Sequence, residues 1–163
     1  MLFTLTMLAG LVVATEDTKN PIIDNDFLIK CNEHCNAVSE YAKVAQNQAT
    51  SEKVKAFATD LLKETDHGKK VLGDAFRERK LGAVAGTTKE FRDQMTRLKS
   101  LEGKEFDQAF LKALIEKCES HCEMCVGQTN SGKDPGLSTL AKDMHKTYET
   151  FCKQAKTLLD EVK

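Results

Sequence analysis

Four stretches in which apolar side chains recur at alternating steps of three and four residues make this chain an all-helical bundle. From Phe27 the inward positions run Phe27, Cys31, His34, Val38, Tyr41 and Ala45, with Cys35 beside them, which predicts an amphipathic helix to about Gln48. Ser51 can cap a second helix from Glu52 to about Lys80, whose apolar face is Val54, Phe57, Ala58, Leu61, Leu62, Val71, Leu72, Ala75 and Phe76. Gly68 lies within that face; a mid-helix glycine costs about 1 kcal/mol against alanine, so its missing side chain should make room for a neighbour. The third long helix is expected from about Lys104 to Val126, and the last from near Leu137 to Val162, with Gly127 to Gly136 as the loop between them. The long connection between the second and third helices holds a short one, opened by a capping box at Thr87-Thr88-Lys89-Glu90 and carrying Phe91, Met95, Leu98 and Leu101 on one side. Two hairpins joined by one long connection is the layout of ferritin-like four-helix bundles. Two prolines, nine glycines and no strand signal agree with it.

Before the bundle, Met1 to Val13 is an apolar run too short to span a bilayer, and Val12-Val13-Ala14 offers small residues where a signal peptidase reads. We read residues 1–14 as a secretory signal, 15–25 as a linker in which Asp24 or Asn25 can cap the first helix, and 26–163 as one bundle domain. The mature protein is then periplasmic or secreted, with no membrane attachment after signal removal. Its 24 basic and 25 acidic residues form no basic run, and aromatics are few, which argues against a nucleic-acid partner.

The chemistry lies in a repeated string. Cys31-Asn32-Glu33-His34-Cys35 and Cys118-Glu119-Ser120-His121-Cys122 share the pattern Cys-x-x-His-Cys, once in each hairpin. Residues three and four apart share a helix face, so each string offers two sulfurs and an imidazole inward. Cys118, His121, Cys122 and Cys125 fall within an arc of about 100° that continues an apolar stripe. Helical rise puts His34 and His67 level, each about 24 Å from the first turn, and puts Cys118 level with His145 across the second. Each hairpin can thus be written as Cys, His and Cys from one helix plus a histidine from its partner, with Cys125 and Cys152 as further thiols near the axis. His67 and His145 lie well off their helices' apolar centres, and solvent is the alternative for each. Glu64 and His67 make a Glu-x-x-His pair of the kind that carboxylate-bridged iron bundles use.

Soft sulfur and imidazole donors select Cu(I) first and Zn(II) second, one or two ions per chain. The candidate ligands are Cys31, His34, Cys35, His67, Cys118, His121, Cys122, Cys125, His145 and Cys152. The alternative is a metal-free structural or interaction domain whose six thiols form three disulfides between the first and third helices. That reading leaves the two matched histidines without a reason. A non-haem iron protein needs a more carboxylate-rich core, and c-type haem needs a Cys-x-x-Cys-His string, which is absent. No phosphate loop or nucleophile elbow is present, so nothing points to an enzyme; association into a homodimer is left open.

From Asp26 to about Val162 the chain resembles an exported bacterial ferritin-like family, domain of unknown function 4142. The likeness rests on Val54-Lys55-Ala56-Phe57-Ala58, Asp66-His67 and Phe106-Asp107-Gln108-Ala109-Phe110. Counted from Phe57-Ala58, the family's Asp-His falls at Glu64-Thr65, its histidine on the third helix falls on Cys118, and its glutamate on the first helix falls near Val38. The resemblance implies the fold and an extracytoplasmic setting, and no activity. Cys118, Cys122 and Cys125 also resemble the Cys spacing that lines four-helix-bundle copper storage proteins, which carry many more cysteines.

Overall fold

The computed structural model describes residues 21–82 and 87–162, so the expected signal segment, 1–14, lies outside the described residues. The described chain forms α1 (Pro21–Gln48), α2 (Glu52–Glu78), α3 (Lys89–Lys99), α4 (Gly103–Ser131) and α5 (Pro135–Glu161), with no strand. The helices α1 and α2 form one hairpin and α4 and α5 the other. The hairpins meet along α1 and α4, and more loosely along α2 and α5. Every neighbouring pair is antiparallel: Asp24 at the start of α1 meets Gln128 near the end of α4, and Lys53 near the start of α2 meets Glu161 at the end of α5. This is the expected four-helix bundle with an extra helix in its long connection.

The connection is held at both ends. Arg79, just past α2, pairs with Asp134 at the start of α5. At the opposite end Gln48 donates to the carbonyls of Lys99 and Leu101. Phe91, Met95 and Leu98 of α3 are buried on the flank of α1 and α4, with the Tyr41 ring edge-on to Phe91 and its hydroxyl donating to Gln94. The expected capping box is not formed: α3 starts at Lys89, so Thr88 caps alone by accepting from the Phe91 N–H.

Several expected boundaries move. Pro21 opens α1, so residues 21–25 of the expected linker are its first turn, where proline's missing N–H costs nothing, and 15–20 lie outside the described residues. Asp24 is therefore no cap; its buried carboxylate accepts from Gln128 Nε2 and the Lys133 N–H, tying α1 to the α4–α5 turn. At the other end Ser51 makes no side-chain cap for α2. The buried Asp107 of α4 instead holds the turn ahead of α2, accepting from the backbone N–H of Thr50 and Ser51 at 3.0 and 2.8 Å. Helix α4 runs to Ser131, leaving only residues 132–134 before α5, whose first N–H groups are capped by Asp134. The loop expected from Gly127 is mostly helix.

Candidate metal centre

Midway along the bundle α1 and α4 bring their repeated strings face to face. The rings of His34 and His121 stack with centroids 4.1 Å apart and planes 25° from parallel. Tyr148 of α5 closes the group, edge-on to His34 at 4.6 Å and tilted over His121 at 4.4 Å. Its hydroxyl lies 3.6 Å from Cys35 Sγ, close enough to share a hydrogen bond with the thiol. Behind Cys35 the chain has no side chain to spare: a Cβ on Gly68 would sit 3.3 Å from that sulfur. The room expected of Gly68 is used by Cys35.

Buried polar atoms normally find partners, yet His34 Nε2 and both ring nitrogens of His121 have no hydrogen-bond partner in the protein. An unsatisfied buried group costs about 1–3 kcal/mol. Burial holds His34 neutral, its pKa pushed well below the ordinary range, with His121 and Lys117 adding to the effect. Burial likewise lowers His121 to about 4, with His145 contributing. A neutral imidazole keeps a lone pair on one nitrogen, which is what a metal ion or a proton donor would use.

Each of these histidines is followed in the chain by a cysteine, Cys35 and Cys122. Burial pushes the Cys31 thiol up, helped by Cys125 and Cys35, and pushes Cys125 up to about 12, helped by Cys122 and Cys35. The thiols of α1 and α4 thus influence one another's ionisation across the contact between these helices. Cys118 is raised by burial and then by Cys152 and Cys122. Such thiols stay protonated at neutral pH until a soft cation displaces the proton. All six cysteines stand unbonded in this structure.

Some expected sets are not assembled. His67 is exposed on α2 and does not join the α1 string; its place beside His34 is taken by His121 of the other hairpin. Because the second turn is short and centred near Lys133, Cys122 rather than Cys118 is level with His145, its Sγ donating to the His145 carbonyl at 3.8 Å. Cys118 is level with Tyr148 and Cys152 instead. Glu64 is half-buried and its charge reaches Cys35 and Tyr148. Among the described residues, no group of three or more His, Cys, Asp or Glu side chains stands placed to hold an ion. Tyr148 was readable only as a core aromatic; counting depth from the shorter turn would have set it beside Cys118.

Two openings lead inward on either side of α4. A cleft of about 550 Å³ between α1 and α4 reaches His34 and His121, bordered by Lys117, Ser120, Met124 and Phe91. A smaller one of about 270 Å³, on the α5 side, is lined by Cys125, His145 and Lys142.

Residues 13–158 match the family model for domain of unknown function DUF4142. The chain belongs to the DUF4142 family. That bears out the likeness carried by Phe57-Ala58 and Phe106-Asp107, and the structure gives those motifs a role: the first is core and the second ties the α1–α2 turn. No curated protein matches the sequence. Among solved structures, a fragment of DUF305 from Deinococcus radiodurans superposes with a TM-score of 0.79 at 12% identity, over 88% of this chain and 98% of that one. A candidate secreted DUF305 protein from Streptomyces coelicolor gives 0.76 at 18%, over 86% and 92%. CopM in its Cu(II)-bound form gives 0.73 at 16%, over 85% and 96%. At these identities the likeness establishes the fold. No helix among the described residues is long and apolar enough to cross a membrane.

Proposed function

We propose that this protein binds a thiophilic metal ion in the bundle interior, Cu(I) ahead of Zn(II), through Cys31, Cys35 and Cys125 with His34 and His121, and that it does so outside the cytoplasm. The observation that carries this reading is the pair of stacked, neutral imidazoles whose buried nitrogens lack protein partners, each belonging to a Cys-x-x-His-Cys string. Cys118, Cys152 and Cys122 with His145 supply donors for a second ion. A soft monovalent ion needs only a pair of thiolates, or a thiolate and an imidazole, within small side-chain rotations; zinc asks for four donors at once. The fold neighbour CopM, solved in Cu(I)-, Cu(II)- and Ag-bound forms, supports the choice of copper. Two buried carboxylates, Asp24 and Asp107, are committed to the turns at the bundle ends, which weakens the carboxylate-bridged iron reading.

Thiol titration of anaerobically purified protein with elemental analysis of the same sample tests the reading. Six titratable thiols after metal removal and stoichiometric copper before it are expected. A metal-free protein that takes up no Cu(I), with its thiols paired, would overturn it in favour of the stapled domain. The His34→Ala/His121→Ala variant should keep its helical circular dichroism and lose Cu(I) affinity or stoichiometry; unchanged binding would make the imidazoles core filler.

A further inference from the structure

The repeated strings hold more than sulfur and imidazole. Each opens on a lysine, so the full pattern is Lys-Cys-x-x-His-Cys, Lys30 to Cys35 on α1 and Lys117 to Cys122 on α4. Because these helices are antiparallel and the strings cross at the stacked rings of His34 and His121, the two lysines fall on opposite sides of the crossing. Four residues of helical rise put each lysine about 6 Å from its own histidine along the bundle axis. All four side chains line the same cleft of about 550 Å³. It is a furrow with an imidazole pair at mid-length and an ammonium toward each end.

His121 is 1% exposed, and neither its Nδ1 nor its Nε2 has a protein partner, although the cleft reaches the ring. His34 Nε2 is unpartnered beside it. An imidazole in either charge state carries at least one N–H, so the His121 ring holds a donor from which no protein atom accepts. Ala37, Phe91 and Met124 give the furrow apolar walls. Glu33 is the one acidic group on its lining among the described residues, against two lysines, which leaves the cleft net positive.

We propose that this cleft binds a short organic dicarboxylate, one carboxylate toward Lys30 and the other toward Lys117, with the imidazole N–H groups donating to the oxygens between them and the hydrocarbon middle against Ala37 and Met124. Hydrogen bonds from ammonium and imidazole to a carboxylate are charge-assisted and strong, and the doubled string supplies one lysine and one histidine for each end. A monocarboxylate or an inorganic oxyanion engages one end only. No thiol takes part, so the site stands or falls separately from Cu(I) binding.

Isothermal titration of the metal-free, reduced full chain with succinate, butyrate and sulfate provides the test, with the ring signals of His34 and His121 followed by NMR. Succinate should bind one per chain, about tenfold tighter than butyrate, and shift both rings. Lys30→Met/Lys117→Met should weaken succinate by about tenfold, and Glu33→Gln should tighten it by about threefold. Ser120→Trp, which fills the cleft, should abolish binding. The proposal is overturned if succinate does not bind, if butyrate or sulfate binds as tightly, or if the double lysine variant holds succinate as wild type does.

Discussion

Acid should unfold the metal-free protein earlier than its carboxylates alone would require, because two imidazoles are buried neutral. In the unfolded chain a histidine titrates near pH 6.5, whereas His121 in the native state is lowered to about 4 by burial and then by His145. A depressed native pKa means that the unfolded state binds more protons between these values. Stability is therefore intact above pH 6.5 and falls as the pH drops toward 4. Integrating the difference in bound protons for His121 gives a loss of about 2 kcal/mol between pH 7 and pH 5, rising to about 3 kcal/mol by pH 4. His34 is shifted the same way, by burial, His121 and Lys117, and adds to the loss. In a chain of this size about 2 kcal/mol is a drop of about 4–8 °C in Tm. Most free carboxylates titrate below pH 5, so the interval from pH 7 to 5 isolates the histidines. Urea unfolding of chelator-treated, reduced protein at half-unit pH steps measures the slope. His34→Gln/His121→Gln should flatten it. A wild-type stability constant across that interval would show that the imidazoles take up protons freely, and the buried, partnerless setting of their ring nitrogens would be refuted.

Two further outcomes test the supports of the site. Gly68→Val pushes a branched side chain against Cys35 Sγ, 3.3 Å from where even a Cβ would lie, and should cost about 1–3 kcal/mol in urea unfolding as overpacking does; no loss would mean that Cys35 is free to move. Asp107→Ala removes both acceptors for the Thr50 and Ser51 N–H groups. Each charge-assisted bond is worth about 1.5–3 kcal/mol, and partial access of water to the turn lowers the expected loss to about 2–3 kcal/mol, with Asp107→Asn near half of that; a change below about 1 kcal/mol would make the tie decorative.

The helices, their inward faces and the bundle layout were legible because periodicity fixes which side of a helix is buried, whatever it is buried against. Phe27, Cys31, Cys35, Val38, Tyr41 and Ala45 of α1 are all in the core, as their spacing required. Lengths were less legible. Gly127, Thr129 and Asn130 have the composition of a loop, but Gln128 is held from outside the segment by Asp24, and that tertiary bond carries α4 on to Ser131. The shift is about one turn, enough to exchange Cys118 for Cys122 as the residue level with His145.

The pairing of His34 with His121 was out of reach for a different reason. Counting residues from a turn sets depth within one hairpin, and depth made His67 the natural partner of His34. Which hairpin faces meet is decided by the order of helices around the bundle axis, and that order follows from the long connection and from contacts such as Arg79 with Asp134 and Gln48 with Lys99, each made between residues more than fifty apart in sequence. With α1 set beside α4, the two strings run antiparallel and cross at their histidines, so the repeated motif stacks His34 on His121 across the hairpins instead of pairing each histidine within its own hairpin. The same order turns His67 outward and brings Tyr148, from the diagonal helix, onto both rings. It follows that a substitution loosening the α1–α4 contact without touching a donor should disperse the site as effectively as removing an imidazole.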